Sequence, residues 1–290
     1  MSAMAGPRSD DEFRKLLDRW SRPSGYSDPR RHHFVPKFYL RRFANNDDQL
    51  LVTEAHHGGR QWTSAVSDVA VVGDFYTILL DDGSPSYLIE HILGAAEGEA
   101  QGAIARASFG VLFPPSPMDR VNLSMFLALQ AVRGPGPRRN AEALGDLVTK
   151  MQLSLIHDDD TARSYLREAL DEEPDDDTVS SFMADLADPD FEVIPHQNQA
   201  ISLMLDSALE VASALLARRW MIGRFAKPCL ITSDHPVTLY QHPMKRIPGV
   251  GVGLANADEV WFPLDRKHVL VLSNDQDAKE EVVDLPLAGC

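Results

Sequence analysis

In four stretches of this chain, residues 87–107, 119–133, 138–155 and 198–219, apolar residues recur with the period of a helix. Most strand-like sequence lies on either side of that block. Before it come L-L-V-T-E, a turn at His57-Gly58-Gly59, R-Q-W-T-S-A-V and D-F-Y-T-I-L-L. After it come W-M-I-G-R-F, C-L-I-T-S, V-T-L-Y, V-W-F-P-L and H-V-L-V-L, separated by Pro and Gly turns. Strands, then helices, then strands predict an α+β fold, with a mainly helical core and short strands near the N-terminal third and the C-terminal third. The stretch 198–219 is the cleanest helix, and its stripe of Ile201, Leu205, Leu209, Ala212 and Leu216 predicts a place in the core. The expected plan is a short amphipathic helix (Phe13, Leu16, Leu17, Trp20) and linker over 1–29, one α+β domain over 30–274, and a polar tail over 275–290.

Charge is unevenly spread. The net charge of −15 argues against nucleic acid as a partner, but residues 158–190 hold thirteen acids against only Arg163 and Arg167. That segment is expected to be an acidic helical insertion, opened by a cap in D-D-D-T and broken at E-E-P-D-D-D. The remainder is nearly balanced, which leaves room for an anionic small molecule or nucleic acid. No run of about 18 uncharged apolar residues occurs, and the first 30 residues carry Arg8, Asp10, Asp11, Glu12, Arg14 and Lys15, so a cytoplasmic protein with no membrane partner is expected. Two cysteines, Cys229 and Cys290, without a Cys-x-x-Cys, predict reduced thiols.

The segment R-R-H-H-F-V-P-K-F-Y-L-R-R-F, residues 30–43, sets two histidines and five cations among Phe34, Val35, Phe38, Tyr39 and Leu40. Together with D-F-Y-T, a glutamate-bearing helix, L-Q-A-V-R-G-P, I-T-S-D-H-P-V and W-F-P-L, it resembles a widespread bacterial family labelled a domain of unknown function. The resemblance runs from about His32 to Leu272. It implies no activity, only polar positions: His32, His33, Arg41, Asp74, Tyr76, Glu90, Glu97, Gln130, Arg133, Ser233 and Asp234.

The residues themselves suggest chemistry. On an extended strand His32 and His33 point to opposite faces, so only one can enter a pocket, as metal ligand or base, while the other packs. Lys37 and Arg41, four apart, are suited to a phosphate or carboxylate. Glu90 and Glu97 fall within about 20° of each other along the edge of a helix's buried stripe, where two carboxylates need a cation, a metal or a proton. Gln130 and Arg133 project from the mostly apolar F-L-A-L-Q-A-V-R. Ser233 and Asp234 end a strand-like run stopped by Pro236. No dinucleotide loop, P-loop, G-x-S-x-G, H-E-x-x-H or zinc-spaced cysteine set is present.

These residues predict an enzyme, a metal-dependent hydrolase or phosphodiesterase acting on nucleic acid or a nucleotide. His32, His33, Glu90 and Asp234 would be catalytic, and Arg41, Gln130, Arg133 and Ser233 would bind substrate. A divalent metal ion would draw on His33, Glu90, Glu97 and Asp234. The alternatives are a metal-free enzyme with His32 or His33 as base, and a non-catalytic ligand-binding or sensing module whose polar cluster is structural. In either enzyme reading, one of the histidines, Glu90, Arg133 and Asp234 are expected to share one pocket.

Overall fold

The computed structural model describes residues 15, 19, 30–56, 58–80, 82–108, 113–188, 191–193 and 197–286. The expected helix and linker of 1–29 therefore lie almost wholly outside the described residues. The chain falls into two compact units, Met1–Gly136 with Ile201–Cys290, and Pro137–Ala200. The acidic stretch 158–190 belongs to the second.

In the first unit, β1 (Arg31–His33) pairs antiparallel with β4 (Val71–Gly73), setting His32 opposite Val72. Between them lie the one-turn α1 (Lys37–Leu40) and the hairpin of β2 (Gln49–Thr53) and β3 (Gln61–Ala65). The two-residue strands β5 (Ile78–Leu79) and β6 (Pro85–Ser86) lead into α2 (Leu88–Ser108). D-F-Y-T, expected as strand, is instead a turn, because Asp74 takes the left-handed conformation at φ 49°.

α2 buries Ile89, Ile92, Leu93, Ala96, Ala100, Ala103 and Ile104, and its alanines allow α3 (Pro117–Val132) to approach closely. Ser116 caps α3 by accepting from the Asp119 N–H at 3.1 Å, and Asp119 pairs with Arg106 of α2. From Leu123 to Gln130 every residue of α3 is buried, so polar groups at its C-terminal end cannot avoid the interior.

The larger sheet runs β11-β7-β10-β9-β8, with β7 (Arg219–Phe225), β8 (Thr238–Tyr240), β9 (Glu259–Pro263) and β10 (His268–Ser273) antiparallel to their neighbours. β11 (Val282–Leu285) lies parallel to β7, so the expected polar tail contains a strand; V-V-D-L is apolar enough to cover the sheet edge. A Cβ at Gly223 would lie 2.5 Å from Leu285 Cδ1 and 2.8 Å from Val269 Cγ1, so glycine is what lets Leu285 lie over β7. C-L-I-T, expected as strand, is irregular, with the Cys229 and Leu230 N–H groups both donating to Arg266 O. Cys229 is disulfide-bonded, not a reduced thiol, and the chain's only other cysteine is Cys290. The parallel register places Leu285 beside Phe225, four residues before Cys229, which brings the two segments together.

In the second unit, α4 (Pro135–Leu153) starts inside the G-P-G-P breaker, since proline suits a helix's first turn. α5 (Asp159–Leu170) opens with the capping box Asp158–Thr161, and α6 (Asp176–Ala187) is capped by Asp175. This acidic hairpin has its own small seam of Ala162, Leu166 and Val179, with Tyr165 stacked on Phe182 at 5.6 Å.

α7 (Gln197–Leu216) buries Ile201, Ala208, Ala212 and Leu215, while Leu205, Leu209 and Leu216 are only partly buried, so its core stripe is rotated from the expected one. It is long and apolar enough by length and composition to cross a membrane, yet it carries Asp206 and Glu210 and contributes four residues to the core. Among the described residues no other helix passes that test.

Candidate functional site

The strand alternation of β1 turns His32 inward, fully buried, and His33 outward to Ser67 O at 3.2 Å. His32 Nδ1 accepts the Tyr76 backbone N–H at 2.8 Å, a bond made possible by the turn at Asp74. The two rings stack 5.7 Å apart, and Tyr87 meets the imidazole edge-on. With Nδ1 accepting, the neutral ring carries its proton on Nε2.

Arg133 follows α3 directly and is 1% exposed. Its Nε donates to Phe34 O at 3.0 Å and its Nη1 to Glu97 Oε1 at 2.9 Å. Gln130, with its carbonyl toward the guanidinium, accepts from Nε at 2.8 Å and Nη2 at 2.5 Å. The Arg133 carbonyl accepts from Tyr76 Oη at 2.8 Å, which joins the arginine to the histidine through one residue.

Glu90 completes the group. Its Oε1 lies 3.6 Å from His32 Nδ1, is buried, and has no hydrogen-bond partner. A carboxylate there would face the lone pair of a nitrogen that already accepts a bond. Burial accordingly pushes the Glu90 carboxyl up to about 7, with the Arg133 charge opposing and the Glu97 charge adding. Glu97 is also raised by burial, against the pull of Arg133 and Lys37, although a quarter of its side chain stays accessible at 26%. His33 is lowered by burial first and then by Lys37, with Arg31 and Arg133 adding; its bond to Ser67 opposes.

The structure thus brings together His32, Glu90, Glu97, Gln130 and Arg133. Other expected residues lie elsewhere. Arg41 Nε and Nη2 pair with Asp48 on the surface at 3.1–3.2 Å, because α1 lasts one turn and the chain then bends toward Asp48. Ser233 and Asp234 are exposed, and Ser233 Oγ accepts from the His235 N–H at 3.1 Å within its own turn. Arg133, expected to hold substrate, has Nε, Nη1 and Nη2 committed to protein acceptors. Among the described residues no three His, Cys, Asp or Glu side chains converge to hold a metal ion, so the expected set of His33, Glu90, Glu97 and Asp234 is not assembled.

Two features had no sequence signal. Tyr76 orients His32 through its backbone, which no side-chain pattern announces. Tyr39 Oη meets Thr232 Oγ1 at 2.9 Å and donates to Pro263 O at 2.8 Å, linking the first motif to I-T-S-D-H-P-V. Arg42 adds a second link, donating to Leu264 O at 2.5 Å and Ser108 Oγ at 2.6 Å.

An α+β unit with a buried His–Glu–Arg–Glu cluster at the meeting of β1, α2 and α3 defines the class. The chain belongs to the family described as protein of unknown function, DUF4238, whose model matches residues 31–284. No curated protein and no solved structure matches it.

Proposed function

We propose that this cluster is the acid–base centre of an enzyme, a hydrolase acting on an anionic substrate of the nucleotide or nucleic-acid class. The observation that carries the reading is Glu90: a buried, unpartnered carboxyl oxygen beside His32, in a setting that lifts its acidity to about 7. Such a group changes protonation near neutral pH. In its acid form Glu90 gives a proton to the leaving oxygen as water attacks the ester; the resulting carboxylate takes the proton that the water sheds, restoring the acid. His32, fixed by Tyr76, positions that carboxyl. Arg133 and Glu97 form the support on which the geometry rests, and the anion meets His33 and the exposed Lys37, whose charge bears on both His33 and Glu97.

A second reading, a structural network without turnover, is favoured by the commitment of Arg133 to internal partners. The test is hydrolysis of an aryl phosphodiester, nucleotides and oligonucleotides by wild type and Glu90→Gln, with and without a chelator. The enzyme reading expects a loss of about 100-fold or more at unchanged melting temperature, since the shape is kept. Wild-type protein inert toward every substrate, or a Glu90→Gln variant as active as wild type, would overturn it. Activity lost on chelation would return a metal ion to the mechanism.

A further inference from the structure

α4 is built inside out. Its half-buried side carries Glu142, Asp146 and Lys150, with Lys150 bonded to Asp146 at 3.0 Å and the Val193 N–H donating to Asp146 at 2.7 Å. Its solvent side carries Leu144, Leu147, Val148 and Met151, continued by Leu155 in the following turn, at 45–74% exposure. These positions follow i, i+3, i+4, i+7 and i+11, a continuous helical stripe of a kind that monomeric surfaces rarely leave in water.

The ends of the stripe indicate what covers it. Arg139 lies exposed one turn before Leu144, with no ion pair among the described residues, and the exposed Asp159 and Asp160 lie just beyond Leu155. A two-fold axis through the middle of the stripe sets Leu144 against Leu155, Val148 against Met151 and Arg139 against Asp160. One surface is then complementary to itself in both shape and charge, as an isologous contact requires. An anionic membrane is a poor fit, because the acidic α5 and α6 adjoin the stripe in sequence.

We infer that two copies of this chain associate antiparallel through the apolar face of α4, with Arg139 of each copy against Asp160 of the other. Sedimentation velocity of the full chain from about 1 to about 100 μM should show a dimer. Leu147→Glu should give a monomer with the wild-type melting temperature, since the side chain is exposed in the single copy. Arg139→Glu should weaken association about tenfold, and adding Asp160→Arg should restore it, because both symmetric pairs are then reversed. A monomer throughout the range overturns the inference, including one whose Met151 resists peroxide because its own chain covers it. So does a dimer indifferent to Leu147→Glu, or a monomer that cosediments with phosphatidylglycerol vesicles.

Discussion

Arg133 and Arg218 are both buried in the first unit, and they are satisfied differently. Arg218 donates only to backbone carbonyls, those of Leu254 at 2.9 Å, Ala257 at 3.1 Å, Asp258 at 3.3 Å and Leu272 at 3.4 Å. It ties the 254–258 loop and β10 to the end of α7, and burial lowers its acidity constant against the pull of Asp258. Arg133 has a carbonyl, an amide and a carboxylate, and through Glu97 and Tyr76 its surroundings extend to Glu90 and His32. A guanidinium held by carbonyls alone closes a structure. One held by a carboxylate places a titratable network beside it, and in that network one oxygen is left without a partner.

The comparison breaks most directly on deletion. Arg133→Met should cost about 3–5 kcal/mol, because Glu97 is left charged and unpaired, and adding Glu97→Gln should recover a substantial part. Arg218→Met should cost a similar amount that Asp258→Asn does not recover, since no carboxylate hydrogen-bonds that guanidinium. Urea denaturation of the four variants decides it; equal rescue at both sites would erase the distinction.

Protonation sharpens it next. The Glu90 carboxyl is raised from 4.5 to about 7 in the folded chain, so the folded state holds a proton that the unfolded state releases. Its stabilising share is full below pH 4.5 and is lost as pH rises through 7, amounting to roughly 3 kcal/mol. Glu90→Gln should remove that dependence, so the variant gains on wild type with rising pH and is the more stable of the two above 7. Parallel stability curves for the two proteins from pH 4 to 8 would remove Glu90 as the titrating group.

Smaller effects mark the limits of the cluster. Tyr39→Phe deletes the hydroxyl that joins the two motifs and should cost about 1 kcal/mol, with little effect on turnover. Arg41→Ala breaks only an exposed pair with Asp48 and should change stability by less than about 0.5 kcal/mol. A large loss of activity in either variant would extend the site toward Thr232 or Asp48.

What the sequence determined by itself was local and periodic. Helix geometry alone aligned Glu90 with Glu97 and set Gln130 beside Arg133 on an apolar helix, and strand alternation separated His32 from His33. The caps at Asp158 and Asp175 were likewise legible, because a cap acts over three residues. The tertiary structure decided which of these groups meet. Arg41 and Asp234 had the same composition signals as Arg133 and Glu90, but a one-turn helix and an exposed turn carried them elsewhere. The orientation of His32 depended on a left-handed Asp74 and a backbone N–H, and β11 on pairing with a strand about 60 residues earlier, and neither writes a pattern into its own segment. Periodicity records which side of an element is buried; partners across elements are chosen by packing, where burial cost leaves few arrangements that satisfy every charge.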